Sequence, residues 1–364
     1  MTKRPFNSNQ VCEFRANLLA WFDLHKRDLP WRRTRDPYAI WVSEIMLQQT
    51  RVAAVLDHYA NWLQKFPTIK SLAAASEDEV LAAWSGLGYY RRARFLHKGA
   101  KAVVAEHNGK LPKTAAELRT LPGIGVYTSA AIASIAFGEA AAVVDGNVER
   151  VLLRQAGSAE IGAATNGKTH TALNAAEIQK LATQLIDPER AGDFNQAIME
   201  LGATICLPRN PLCLHCPVQH SCRTRGEHPT ATRKPSVTAE IAYALLQRRR
   251  RGTDEVLLQQ RAATATVMPG MWELPPLTQN PRSATEISAA TDKDKPLLIL
   301  RHAIMQTNYR VAVMRLPAKT SSLSKTTAIQ SWINRADLAS LPLTGLARKI
   351  LLRLEIHRPP RAPR

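Results

Sequence analysis

The chain has 364 residues, 45% of them hydrophobic, with 49 Lys and Arg against 30 Asp and Glu, a formal charge of +19. That length favours two domains over one core, and the apolar content excludes a disordered tail protein. A positive excess of this size points to a polyanion as partner, with a merely basic soluble surface as the bland alternative. No apolar core precedes Cys12 as a secretory leader would require. No run approaches the ~18 apolar residues of a membrane span. The expectation is a cytoplasmic protein without a membrane partner. Disulfides are rare in that compartment, so the five cysteines need another role.

In chain order, the first two thirds read as helical. Cys12 sits on an amphipathic helix, where a lone cysteine is usually packing. Asp36-Pro37 places a capping residue before proline at the first helical position. The helix it opens runs through Trp41, Glu44 and Gln48. Val52, Val55, Leu56, Tyr59, Leu63 and Phe66 follow helical spacing. Further helices are predicted at Glu77–Trp84, Tyr90–His107, Ala115–Leu121, Tyr127–Phe137, Val148–Gln155 and Ala175–Leu185. Residues 1–223 form this domain, and Thr224–Val237, basic, polar and proline-containing, reads as a linker. Residues 238–357 read as a separate α+β domain, with strands at Ile241–Leu246, Val256–Gln260, Leu297–Arg301 and Arg310–Leu316 and a closing helix at Leu346–Leu354. Gln279–Lys295 is a predicted variable loop, Arg248–Arg251 a hairpin tip, and Arg358–Arg364 a disordered tail.

Four motifs carry chemistry. Cys206, Cys213, Cys216 and Cys222 are spaced C-x6-C-x2-C-x5-C. Four thiolates this close should ligate a metal centre, zinc or iron–sulfur. Zinc ribbons usually present two short C-x2-4-C hooks, and here there is one. Leu121-Pro122-Gly123-Ile124-Gly125-Val126-Tyr127-Thr128 joins two helices. Its glycines let the backbone approach a ligand, and the free N–H groups of the next helix suit an anion such as a DNA phosphate. Alone, the pattern is equally an ordinary tight turn. In Val143-Val144-Asp145-Gly146-Asn147-Val148, an aspartate precedes a helix whose positive end keeps a carboxylate ionised. A plain helix cap reads the same way, and one residue can do both jobs. In Trp41-Val42-Ser43-Glu44-Ile45-Met46-Leu47-Gln48-Gln49-Thr50, Glu44 lies among apolar residues. A glutamate held there has a raised pKa and serves as an acid, although most single glutamates are solvated.

Together these features resemble the endonuclease III superfamily, with its helix-hairpin-helix, Gly/Pro-rich loop and catalytic aspartate. Within it the match is to the MutY-type adenine glycosylases. It covers nearly the whole chain, through Leu29-Pro30-Trp31-Arg32, Ser43 to Thr50, Gly86-Leu87-Gly88-Tyr89-Tyr90, the glycine hairpin, Asp145 to Val148 and the four cysteines. The resemblance implies a mainly α helix-hairpin-helix domain with a [4Fe-4S] cluster loop at 206–222. It also implies removal of adenine mispaired with 8-oxoguanine or guanine in double-stranded DNA. By resemblance, Glu44 protonates adenine at N7 and then activates water, Asp145 stabilises the sugar cation, and Asn147 and Tyr127 orient water, sugar and Asp145. Trp31, Arg32 and Leu47 belong to the base pocket. Gln49, Thr50, Leu87 and Tyr89 wedge into the stack and touch the 8-oxoguanine strand. Gly123 and Gly125 bind DNA phosphate.

The bifunctional endonuclease III enzymes, the competing oxidised-pyrimidine glycosylase/lyase reading, carry a lysine where this chain has Tyr127. Tyrosine forms no Schiff base, so hydrolysis alone is expected. A non-catalytic DNA-binding protein of the same fold is the other alternative, and Glu44 and Asp145 argue against it. The second domain should be Nudix-like, since Met268-Pro269-Gly270-Met271-Trp272-Glu273-Leu274-Pro275 looks like the G-x-W-E-x-P strand end. The glutamate-rich Nudix box is absent, which leaves a binding role in 8-oxoguanine recognition. Where the family shows Phe-Ser-His, this chain reads Arg301-His302-Ala303-Ile304-Met305-Gln306, so the serine that would contact 8-oxoguanine is missing.

Overall fold

The computed structural model describes residues 6–158, 173–227, 237–277, 295–304, 307–318 and 329–357. Most of the predicted linker, nearly all of the Gln279–Lys295 loop, Met305, Gln306 and the Arg358–Arg364 tail lie outside the described residues. Two compact units emerge, Met1–Ala73 with Lys98–Arg233, and Ala74–His97 with Lys234–Arg364. The second unit thus takes in a segment that the sequence places within residues 1–223. Among the described residues no helix is long and apolar enough to cross a membrane.

The helices are α1 (Ser8–His25), α2 (Pro37–Leu47), α3 (Val52–Lys65), α4 (Ile69–Ala74), α5 (Glu77–Trp84), α6 (Arg91–Glu106), α7 (Ala115–Leu118), α8 (Val126–Phe137), α9 (Gly146–Ala156), α10 (Ala175–Leu185) and α11 (Ala191–Thr204). Asp36 caps α2 through a bond from Tyr38 N, with Pro37 at the first helical position, as its sequence predicts. Tyr38 to Met46 are all buried on α2, as are Thr128 to Ile135 on α8. Helices buried on every side belong in a core.

Helix α11 is the main departure from expectation, since no helix is predicted between Leu185 and the cysteines. Its glycines serve close packing. A Cβ on Gly192 would meet Ser134 O of α8 at 2.7 Å, and one on Gly202 would meet Asn147 Cβ of α9 at 2.6 Å. Cys12 is also a correction, because it is exposed on α1.

The second unit holds one mixed sheet. Its strands are β1 (Val237–Arg250), β2 (Thr253–Gln260), β3 (Trp272–Glu273), β4 (Leu298–Ile304), β5 (Thr307–Leu316) and β6 (Gln330–Asn334), closed by helix α12 (Gly345–Arg353). The order is β3-β2-β1-β5-β4, with β6 also on β2. β1 runs parallel to β5, with Ile241 opposite Val311, and the other pairings are antiparallel. Leu245, Leu258, Val311 and Val313 from the sheet meet Ile350 and Leu351 of α12 in its core. The α+β expectation is met. The turn after Arg248–Arg250 falls at Arg251-Gly252, and β6 is a strand that the sequence does not reveal.

Candidate active site

Glu44 lies on the buried face of α2 and is 6% exposed. Its Oε2 accepts a 2.7 Å hydrogen bond from Tyr127 Oη, at the start of α8, and Met199 Sδ of α11 lies 3.2 Å from the same phenol. Burial lifts the Glu44 carboxyl to about 7. The Tyr127 hydrogen bond and the charge of Arg32 oppose that rise, and the charge of Asp145 adds to it. Burial and the two neighbouring carboxylates push the Tyr127 phenol well above its ordinary value, so it stays a donor. The result is a carboxyl poised to give and take a proton near neutrality.

Asp145 is the N-cap of α9. One oxygen accepts from Asn147 N at 2.9 Å and Val148 N at 2.8 Å, and the other from Asn147 Nδ2 at 3.1 Å. Three donors at the N-terminus of α9 thus hold this carboxylate in one orientation. Asn147 in turn accepts from Arg150 Nη2 at 2.9 Å. Arg150 also reaches Gly202 O at 2.7 Å and Cys206 O at 2.8 Å, which binds the Asp145 cap to α11 and the cysteine loop. A Cβ on Gly202 would meet Asn147 Cβ at 2.6 Å, so its absence lets α11 lie close against the start of α9.

Glu200 is a second buried carboxylate, 1% exposed, that the sequence does not flag. Arg27 Nε donates to it at 2.6 Å and Arg32 Nη2 at 2.9 Å. Burial alone would raise this carboxyl, but the two arginines outweigh it and hold Glu200 down at about 2. Arg32 also lies 5.2 Å from the centre of the Phe22 ring. The available signal was a glutamate inside the apolar run Ile198-Met199-Glu200-Leu201. Arg150 could have been found three residues after Asn147, on the same helix face.

Trp31 is buried edge-to-face on Tyr59, with ring centres 5.5 Å apart. Leu47 is half-buried at the end of α2. Gln49 beyond it is exposed in a left-handed conformation, φ 55°, and Thr50 Oγ1 donates to Gln48 O at 3.2 Å. Gly123, φ 81°, and Gly125 are exposed before α8, whose first turn has no side-chain cap. The first unit therefore brings together Glu44, Tyr127, Arg32, Asp145 and Asn147. Leu87 and Tyr89 belong to the second unit, where Tyr89 is exposed with φ 48°.

Cys206, Cys213, Cys216 and Cys222 line one pocket, with Arg154 and Gln155 of α9 on its wall. Arg154 Nη1 lies 3.4 Å from Cys206 Sγ and donates to Leu207 O at 2.7 Å. Among the described residues no three His, Cys, Asp or Glu side chains converge as a single metal ion would need. The four thiols line the same pocket, a donor set that fits a metal centre. Burial and the neighbouring cysteines push the Cys216 thiol up to about 11, and a cationic centre would reverse that cost.

Residues 42–198 match the HhH-GPD superfamily base excision DNA repair protein family. The chain is 53% identical over 225 residues to the adenine DNA glycosylase of Homo sapiens, covering 59% of this chain and 40% of that protein. It is 42% identical over 212 residues to the adenine DNA glycosylase of Mycolicibacterium smegmatis, covering 58% of this chain and 69% of that protein. Among solved structures, a thermostable thymine-DNA glycosylase superposes with a TM-score of 0.53 at 30% identity, over 60% of this chain and 97% of the other. The chain thus spans less than half the length of its human relative.

Proposed function

The chain belongs to the adenine DNA glycosylase family of the HhH-GPD superfamily, and from that premise we propose that it hydrolyses the N-glycosidic bond of adenine mispaired with 8-oxoguanine or guanine in double-stranded DNA. The observation that carries the reading is the buried Glu44, hydrogen-bonded by half-buried Tyr127, beside the Asp145 cap. Base excision needs an acid for the leaving base and a carboxylate for the sugar cation, the division of labour of glycoside hydrolysis. Protonated Glu44 gives its proton to adenine N7. The C1′–N9 bond then breaks with its electron pair on the base, and the carboxylate of Asp145, held by its three donors, stabilises the cation. Glu44, now a carboxylate, takes a proton from the water that attacks C1′. Asn147 and Tyr127 hold the two carboxylates in place.

Tyr127 occupies the position of the lyase amine, so the reaction is monofunctional. The adenine leaves the duplex for a pocket that includes Trp31, Arg32 and Leu47. Gln49, Thr50, Leu87 and Tyr89 meet the opposite strand, and Gly123 and Gly125 offer backbone N–H groups to a phosphate. Cys206, Cys213, Cys216 and Cys222 would hold a [4Fe-4S] cluster, which would fasten their loop beside α9. Residues 238–357 form a Nudix-like binding domain, and the protein works as a cytoplasmic, nucleoid-associated monomer. Single-turnover assays on A:8-oxoguanine, A:G and oxidised-pyrimidine duplexes test the substrate. Free adenine from the first two supports it, and release of an oxidised pyrimidine instead would overturn it.

A further inference from the structure

The loop after α5 is held from two sides within the second unit. From its own side, Trp84 Nε1 donates to Gly88 O at 3.0 Å. Arg92 Nη2 donates to Leu87 O and Gly88 O, each at 3.3 Å. The Arg92 guanidinium also stands 5.3 Å from the Trp84 ring centre and 5.4 Å from that of Tyr89. From the C-terminal side, Leu343 O accepts from Tyr90 Oη at 3.0 Å and from Ser85 Oγ at 3.4 Å. Arg348 of α12 donates to Ser85 O. Arg94 Nη2 donates to Pro269 O at 2.6 Å.

The segment around the acceptor Leu343 is itself hydrogen-bonded to the strand end at Trp272. Trp272 N donates to Pro342 O at 2.8 Å and Thr344 N donates to Trp272 O at 2.9 Å, so the Trp-Glu strand end carries the Pro342–Thr344 segment. Tyr90, Ser85 and Leu343 are buried, at 3%, 5% and 1% exposure. Between them stands Tyr89, 52% exposed at φ 48°. A bulky residue in that region persists only when its surroundings over-determine it. Here the surroundings include the G-x-W-E-x-P strand end and α12.

We infer that the C-terminal part of the second unit clamps the Ser85–Tyr90 loop, with Tyr90, Arg348 and Arg94 as positioning residues that present Tyr89 to the DNA stack. This rests on the reading of the protein as a duplex-DNA glycosylase. It gives the C-terminal part a role in mismatch engagement that needs no base contact of its own. Tyr90 and Arg348 act through Tyr89, so their effects should vanish once Tyr89 is removed.

The test uses the full chain and an A:8-oxoguanine duplex with 2-aminopurine beside the 8-oxoguanine, whose fluorescence rises when its stack is opened. Wild type should raise the signal and Tyr89→Ala should abolish the rise. Tyr90→Phe and Arg348→Ala should each weaken engagement of the labelled site about five-fold, the order of one hydrogen bond, with Arg348→Lys recovering part of it. Tyr89→Ala/Tyr90→Phe should match Tyr89→Ala alone. Unchanged signals in Tyr90→Phe and Arg348→Ala, additive losses, or no rise with wild type would overturn the clamp. Absence of adenine release beside an intact fluorescence pattern would sink the proposed substrate and leave the clamp standing.

Discussion

Glu44 carries the clearest residue-scale consequences. Its folded-state pKa, about 7, lies above the ordinary 4.5. The folded protein therefore holds a proton that the unfolded chain loses between those values, and stability falls as pH rises through that window. Glu44→Gln removes the titration. Its melting temperature should exceed that of wild type at pH 8 and converge with it near pH 4.5, a difference of order 3 kcal/mol at most. The same variant should stop base release, and the wild-type single-turnover rate should decline above an apparent pKa near 7. Equal melting at pH 8, or a rate flat from pH 5 to 9, would contradict the assignment. At Tyr127, lysine would bring an amine to the catalytic pocket, so Tyr127→Lys should gain measurable strand cleavage and borohydride trapping. The gain should be modest, since that amine also needs burial to lower its pKa. No trapped complex above the wild-type level would refute it. Glu44 and Asp145 were legible because each sits at a rule-governed place, a polar residue in an apolar helix and a cap before Gly-Asn. Glu200 was not, because its meaning comes from Arg27 and Arg32, more than 160 residues away in the chain.

At the scale of elements, α9 is the spine of the site. It carries Asp145 at its N-cap and Asn147 and Arg150 in its first turns, while Arg154 and Gln155 meet the cysteine loop near its end. α11 lies against it at Gly202, where a Cβ would meet Asn147 Cβ at 2.6 Å and Asn147 O at 3.0 Å. Gly202→Ala must push the helices apart and loosen the Arg150 bonds. It should cost about 1–3 kcal/mol and reduce base release more than ten-fold, read by thermal melting and single-turnover kinetics. A variant with wild-type melting and rate would show the contact to be slack. The sequence hid α11 because two glycines inside a helix read as breaks, whereas here they mark close approach. It showed α2 and α8 readily, because capping and continuous apolar character are local.

Across the whole molecule, the helical unit carries both carboxylates and the sheet unit carries an exposed tyrosine loop. The α+β character of the second unit was legible from the change of period after the linker. Its inclusion of Ala74–His97 was not, because that segment is helical like its neighbours and its partners, Leu343, Arg348 and Pro269, lie far along the chain. The cysteine cavity makes a separate demand. Anaerobically purified protein should contain about four irons per chain, and Cys213→Ser should lose iron and DNA affinity together, whereas exposed Cys12→Ser should lose neither. Zinc in place of iron would overturn the cluster assignment.

The most direct test of the central claim is a single-turnover reaction of wild type and Asp145→Asn on an A:8-oxoguanine duplex, with released base and strand integrity followed before and after alkali. The expected result is free adenine from wild type, a strand that stays whole until alkali cuts it, and an Asp145→Asn protein that binds the duplex and releases nothing. A near-normal rate in Asp145→Asn, or a strand cut by wild type without alkali, would contradict the account.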